Sequence, residues 1–187
     1  MVQAPAEKLT LSAFLAMPET KPASEYIHGQ IIQKPMPQGK HSRLQGKLAA
    51  AINHTLEAPR IACAFPELRC TFAGRSIIPD VSVFTWPHIP VDENGDVANE
   101  FNRYPDWMIE VLSPAQNSIQ VIDKILHSLS HGTQMGWLIE PEARLILTYP
   151  QAQQPRSFEE GPDLLLVPAF AEPVKLTASD VFSWLGL

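Results

Sequence analysis

Cysteine is scarce: Cys63 and Cys70 are the only 2 among 187 residues. Two thiols supply neither a disulfide framework nor a four-thiolate zinc site. On a single strand, their spacing would set them on opposite faces. Long apolar runs are missing as well, and nothing approaches the length of about 20 residues that crosses a bilayer. The N-terminal stretch carries Glu7 and Lys8 but no basic region followed by an apolar run. No secretory leader is therefore expected, and a cytoplasmic location is the default. Positive charge is in deficit, with 14 Lys and Arg against 20 Asp and Glu for a formal charge of -6. Neutralising phosphates supplies much of the affinity for nucleic acid, so this total counts against strong nonspecific DNA binding. A local basic patch, or a metal ion carrying positive charge, remains compatible with it. Glycine-rich phosphate loops are also lacking: Gly74-Arg75 and Glu93-Asn94-Gly95-Asp96 read as turns. The acids between Asp92 and Glu100 do not have calcium-loop spacing.

What the chain does have is length for one folded domain over 1–187, with 45% hydrophobic and 18% charged residues. Its 18 prolines are nearly twice the usual share of about 5%. They fall between periodic segments and mark turns and strand ends rather than a linker. Thr10 to Met17 reads as a short helix stopped by Pro18, and Tyr26 to Gln33 as a strand split into a hairpin at His28-Gly29. Leu44, Leu48, Ala51, Ile52 and Thr55 recur at helical spacing through the segment starting at His41, which Pro59 ends. Strands are expected over 62–72, 77–84 and 107–112, with a polar excursion from Trp86 to Tyr104. Ser118 to His131 reads as a helix with Ile119, Ile122, Ile125, Leu126 and Leu129 on its apolar side. A hairpin over 135–149, a looser β segment at 164–167 and a helix capped by Thr177 complete the chain. The order predicts an α/β fold: a mixed β-sheet flanked by helices, with additional β-hairpins. The segment 109–140 suits a right-handed β-α-β crossover.

Two acids interrupt apolar strands. Asp80 lies in Ile77-Ile78-Pro79-Asp80-Val81-Ser82-Val83-Phe84, and Glu110 in Trp107-Met108-Ile109-Glu110-Val111-Leu112. An ionised carboxylate among apolar neighbours needs a partner, a metal or an open cleft. Two carboxylates on neighbouring strands suit a hard cation such as Mg²⁺, which keeps waters and substrate phosphates. Strand-end acids held by backbone caps are the alternative, and the pattern alone leaves both open. Lys124 follows Asp123 on the next helix and can reach back over the sheet edge. An ordinary solvated lysine is its alternative.

The segments Glu25-Tyr26-Ile27-His28-Gly29-Gln30-Ile31, His41, Ile78-Pro79-Asp80-Val81, Ile109-Glu110-Val111-Leu112-Ser113-Pro114, Asp123-Lys124 and Trp137-Leu138-Ile139-Glu140-Pro141 come in this order. Together they resemble the Uma-type family of restriction-endonuclease-like proteins, common in cyanobacteria and placed in the PD-(D/E)XK nuclease superfamily. The resemblance runs from about Thr10 to the C-terminal helix. It implies a restriction-endonuclease-like core acting as a Mg²⁺-dependent DNA endonuclease, with Mn²⁺ as a possible substitute and a homodimer as the assembly. Asp80, Glu110 and the Val111 carbonyl resemble the metal ligands. Glu25 resembles the acid contributed near the N-terminus of the core, and His41 matches a recurrent family histidine beside the phosphate. Glu67 also matches a family position. Two departures stand out. The superfamily places its catalytic lysine two residues after the second acid, where this chain has Leu112, so the role passes to Lys124. The family often has Asp at His28 and Tyr at Ser128. A catalytically weak or inactive nuclease-fold module for DNA binding or assembly is therefore the alternative function.

Three further groups of residues carry weaker signals. His127 and His131 lie four apart on one helix without the neighbouring Glu of a zinc protease, so a surface pair is preferred over zinc. Lys40, Arg43, Lys47, Arg69 and Arg75 are candidates for a basic surface hidden by the total charge. Trp86, Trp107, Trp137 and Trp184 read as packing residues.

Overall fold

The computed structural model describes residues 9–114 and 116–187. Glu7 and Lys8, which bear on the leader expectation, lie outside the described residues. Thr10 caps α1 (Leu11–Leu15) by accepting a hydrogen bond from the Ala13 N–H. β1 (Ser24–Ile27) and β2 (Gln30–Gln33) form the expected hairpin. Pairing of Ile27 with Gln30 leaves His28 and Gly29 in the turn, at φ 52° and 79°. Positive φ at both turn positions matches the twist of the flanking strands.

Both long strands expected between 62 and 84 are broken. β3 (Ala62–Pro66) and β4 (Cys70–Phe72) are separated by a bend with Glu67 at φ 49°. β5 (Arg75–Ile77) and β6 (Val81–Thr85) are separated by Ile78-Pro79-Asp80. Pro79 has no N–H to give a ladder, which favours the break there. Each break carries the chain between sheets: the smaller has the order β2-β1-β5-β4, and β3 and β6 belong to the larger. Cys63 and Cys70 thus stand on different sheets as free thiols.

The larger sheet continues with β7 (Trp107–Val111), β8 (Met135–Glu140), β9 (Leu145–Pro150) and β10 (Arg156–Phe158), in the order β10-β9-β8-β7-β6-β3. β7 and β8 are parallel, joined by α3 (Ser118–Ser130), while their outer neighbours are antiparallel. The mixed sheet and its crossover are as expected. β10 was not anticipated, and the segment at 164–167 contributes only a bridge from Leu164 to Thr177.

The two faces of this sheet are packed differently. Trp107, Ile109 and Val111 point to one face, with α2 (Gly39–Leu56) and α4 (Ala178–Ser183) above them. Leu44, Leu48, Ile52 and Leu56 form a fully buried stripe on α2. Met108, Glu110 and Leu112 alternate to the opposite face, where Met108, Leu112, Leu138, Val121 and Ile125 cluster under α3. The apolar side assigned to α3 needs correcting. Its buried stripe is Val121, Lys124, Ile125 and Ser128, while Ile119 and Leu126 are exposed. Burying an Ile or Leu side chain is worth about 1.5–3 kcal/mol. The helix forgoes that at two positions and turns a lysine inward.

Gly136 on β8 lets α3 lie close. A Cβ there would stand 2.3 Å from Ile125 Cγ2. Among the described residues, no helix is long and apolar enough to cross a membrane.

Candidate active site

The site forms where the chain leaves the small sheet for the large one. Val81 pairs with Ile109, which sets Asp80, one residue earlier, beside the end of β7. The Asp80 carboxylate is 2% exposed and has three neighbours. Its Oδ1 accepts from Lys34 Nζ at 2.7 Å. Its Oδ2 accepts from the Val111 N–H at 2.8 Å and lies 3.1 Å from His41 Nε2. Val111 therefore meets Asp80 through its N–H. The Asp80 carbonyl is held by Gln45 Nε2 at 2.9 Å and the Glu67 N–H at 3.2 Å.

Glu110 is buried on the α3 face, where Lys124 Nζ comes to 2.8 Å from its Oε1. Lys124 Nζ also donates to Glu25 Oε1 at 3.1 Å, and the same oxygen accepts from the Ile78 N–H at 2.7 Å. Glu25 thus ties β1 to the bend that presents Asp80. Asp80, Glu110, Lys124, Glu25 and His41 are brought together in one cluster.

Leu112 explains the displaced lysine. It is packed with Val121 and Ile125 beneath α3, on the same face as Glu110. A lysine at Leu112 would stand in that apolar cluster, whereas the helix above delivers an ammonium directly to Glu110. Ser128 fills the position where the family often has Tyr. It is fully buried, with its Oγ donating to the Lys124 carbonyl at 2.9 Å and lying 3.3 Å from Met108 Sδ. His28 sits outside this cluster, 2.7 Å from Arg75 Nη2 and 3.4 Å from Asp123.

Lys34 was missed. It follows β2, a mostly buried residue before Pro35, and no periodicity marks it. Besides Asp80, its Nζ donates to the Ile78 carbonyl at 2.7 Å. Gln45 also escaped notice, although its place one turn after His41 on α2 offered a weak signal.

These contacts set the protonation of the site. Burial alone would push Asp80 up, but Lys34 and His41 hold its carboxyl well below the usual range. Burial pushes Glu110 up to about 7 against the pull of Lys124, and Asp80 adds to the rise. Lys124 and Lys34 are both raised despite burial, the first mainly by Glu110 and Glu25, the second mainly by Asp80. Both ammoniums are therefore charged at neutral pH.

The donor types suit a hard cation, but their arrangement does not. Asp80 is engaged by Lys34, and Glu110 faces Lys124. Among the described residues, no group of three or more His, Cys, Asp or Glu is placed to hold a metal ion. The geometry can instead hold a compact cluster of charges at the edge of an open cleft. A cavity of about 320 Å³ opens onto it, lined by Lys21, Lys34, His41, Glu67, Asp80 and Gln116 among others.

Outside the site, the candidate basic surface is largely spent. Lys40 pairs with Glu142 at 2.8 Å, Arg69 with Glu19 at 2.7 Å and Arg75 with Asp123 at 2.7 Å. Arg43 donates to the carbonyls of Trp184 and Gly186. His127 and His131 are neighbours with ring centroids 4.4 Å apart, and His127 stacks on Phe72. Trp107 and Trp137 are buried edge to face, whereas Trp86 is exposed.

A mixed sheet with an acid at the start of β6, another in β7 and a lysine from the crossover helix defines a protein of the restriction-endonuclease-like nuclease fold. The family model described as "Putative restriction endonuclease", Uma2, matches residues 11–179. The chain belongs to the Uma2 family. It is similar to a crystal structure described as a "putative nuclease belonging to DUF820" from Anabaena variabilis ATCC 29413. The two share 53% identity with a TM-score of 0.93, over 95% of this chain and 99% of the other. No functionally curated protein matches.

Proposed function

We propose that the protein is a nuclease-fold DNA-binding module whose hydrolytic activity is weak or absent. One observation carries this reading: Asp80 is paired with Lys34 at 2.7 Å, and Glu110 with Lys124 at 2.8 Å. Acids neutralised by internal ammoniums attract a divalent cation less than free acids would. Lys21 lines the open cleft and supplies positive charge for a backbone phosphate. The overall charge of -6 makes that binding modest and sensitive to salt.

A Mg²⁺-dependent DNA endonuclease is the second reading, with Mn²⁺ as substitute. Family membership favours it, as does the buried His41 Nδ1, which lacks a hydrogen-bond partner. It assigns Asp80, Glu110 and the Val111 carbonyl to the cation, Lys124 to the phosphate charge, and Glu25 and His41 to positioning. A homodimer belongs to both readings as an expectation from the family resemblance.

The test measures retention and cleavage of supercoiled, linear and single-stranded DNA with chelator, Mg²⁺ or Mn²⁺. Parent protein, Asp80→Ala and Lys124→Ala are compared, and sedimentation reports the oligomeric state. Binding without turnover in the parent supports the first reading. Metal-dependent turnover lost in Asp80→Ala would replace it with the second, and neither binding nor cleavage of any DNA would sink both.

A further inference from the structure

An open strand edge is a template for pairing with another chain, and folded proteins block most of theirs. Three of the four sheet edges in this fold are blocked. Asn53 on α2 covers β3, accepting from the Ala64 N–H at 2.7 Å and donating to the Ala64 carbonyl at 3.0 Å. Phe101 covers β4, where its carbonyl accepts from the Thr71 N–H at 3.0 Å. β10 is only 3 residues long, follows Pro155 and opens with Arg156. β2 ends the small sheet with none of these devices among the described residues. It reads Gln30-Ile31-Ile32-Gln33, without proline or charge, and all but Ile32 are exposed.

Hairpin parity shows which backbone groups this edge offers. Ile27 pairs with Gln30 across the turn, and the Lys34 N–H donates to the Ala23 carbonyl at 2.9 Å. Gln30, Ile32 and Lys34 therefore bond to β1, while Ile31 and Gln33 turn their N–H and C=O groups outward. The rest of the sheet obeys the same parity. Tyr26, opposite Ile31, turns away from the hairpin to pair with Ser76. Thr71, next to the closing pair of the β4–β5 hairpin, reaches out to Phe101.

Two outward residues flanking one inward residue make the edge self-complementary. In an antiparallel pair about a two-fold axis at Ile32, Ile31 exchanges both of its bonds with Gln33 of a second copy. Gln33 does the same with Ile31 of that copy, and every outward group is then paired. Charge also favours a second copy. Each chain carries -6, yet this strand is neutral, so no like charges meet at the axis. The Lys34 ammonium, next in sequence, is turned inward to Asp80. On one face, Leu15, Met17 and Ile31 are 45%, 49% and 43% exposed. They line one mainly apolar hollow with Phe14, Pro18 and the Glu19–Arg69 pair, and that hollow reaches the edge at Ile31.

We propose that β2 is the interface through which two copies of this chain associate, joining their four-stranded sheets edge to edge. The homodimer expected from the family resemblance leaves its surface unassigned, and the backbone of β2 supplies one. Lys34, two residues from the axis, ties that interface to the cleft it lines.

The test is sedimentation of the full chain over a range of concentrations, with amide hydrogen exchange on the same samples. The parent is a dimer, and its Ile31 and Gln33 amides lose protection on dilution. Ile31→Pro removes an outward N–H that the hairpin does not use, and dimerisation weakens at least about tenfold. Ile119→Lys, on the exposed face of α3, leaves dimerisation unchanged. Paired charges check the register. Ile31→Lys with Gln33→Lys is monomeric, as is Ile31→Glu with Gln33→Glu, and an equal mixture of the two associates. A monomeric parent overturns the proposal, as does a dimer that Ile31→Pro leaves intact or a mixture of folded charge variants that stays monomeric. A dimer lost in Ile119→Lys but kept in Ile31→Pro places the interface on α3, which sinks the edge while the homodimer stands. Every readout is taken without DNA, so failure here is separable from failure of the proposed function.

Discussion

The two helices that cover the large sheet make a natural comparison, because they pack against opposite faces of the same strands. α2 presents Leu44, Leu48, Ile52 and Leu56, all fully buried, to a face centred on Trp107 and Ile109. α3 presents Val121 and Ile125 together with Lys124 and Ser128, leaving Ile119 and Leu126 in solvent. A helix placed for stability alone would have turned its isoleucine and leucine inward. The α2 face is built for cohesion, and the α3 face gives up part of that to hold an ammonium against Glu110.

The largest expected effect breaks the α3 face. Lys124→Ala leaves Glu110 and Glu25 without their shared cation, and removing one partner of a buried ion pair costs about 3–5 kcal/mol. Urea unfolding measures it, and Lys124→Met with Glu110→Gln recovers part of the loss, the rest remaining at the unpaired Glu25. On the α2 face, Leu48→Ala costs about 2–5 kcal/mol of stability by opening a cavity. Its signature differs: the folded variant keeps the parent's DNA affinity. Gly136→Ala tests how α3 is seated. The new Cβ would lie 2.3 Å from Ile125 Cγ2, so the Ile125 side chain or the helix must shift, at about 1–3 kcal/mol, and a shift of the helix loosens the Lys124 contacts with it. Gly46→Ala probes the α2 side with the opposite sign. A Cβ there meets nothing within 4 Å, so the substitution stabilises by about 0.5–1 kcal/mol, seen as a higher melting temperature.

The smallest effect in the parent is its pH dependence between about 4.5 and 7, where two groups oppose each other and the lowered Asp80 stays ionised. Glu110 holds its proton more tightly folded than unfolded, so its share of stability is present below about 4.5 and is lost as pH rises through about 7. His127 is the reverse. Burial, Arg75 and His131 lower it to about 4, so its share is present above 6.5 and is lost as pH falls through 4. Glu110→Gln should make stability fall toward acid, and His127→Phe should make it fall toward neutral pH. Parallel slopes in the two variants would contradict the assignment.

Much of the architecture was legible because local rules governed it. The His28-Gly29 hairpin, the α2 stripe and the 109–140 crossover each follow from turn chemistry, periodicity or chain order. The breaks at Glu67 and Pro79 were harder, since apolar residues continue on both sides of each and only the pairing of sheets separates them. Asp80 and Glu110 were visible as acids in apolar surroundings. The orientation of α3 was not, because Ile119 and Leu126 make a plausible apolar side until the acids under Lys124 are placed. Lys34 carried no signal at all. Its role arises from a contact 46 positions away in sequence, which no local pattern encodes.

Cleavage of supercoiled DNA by the parent and by Asp80→Ala, with Mg²⁺ or Mn²⁺ and with retention followed in the same samples, tests the central claim most directly. A site closed by internal ion pairs predicts that the parent retains DNA but nicks it no faster than Asp80→Ala. Sustained metal-dependent nicking by the parent, absent from Asp80→Ala, would contradict it.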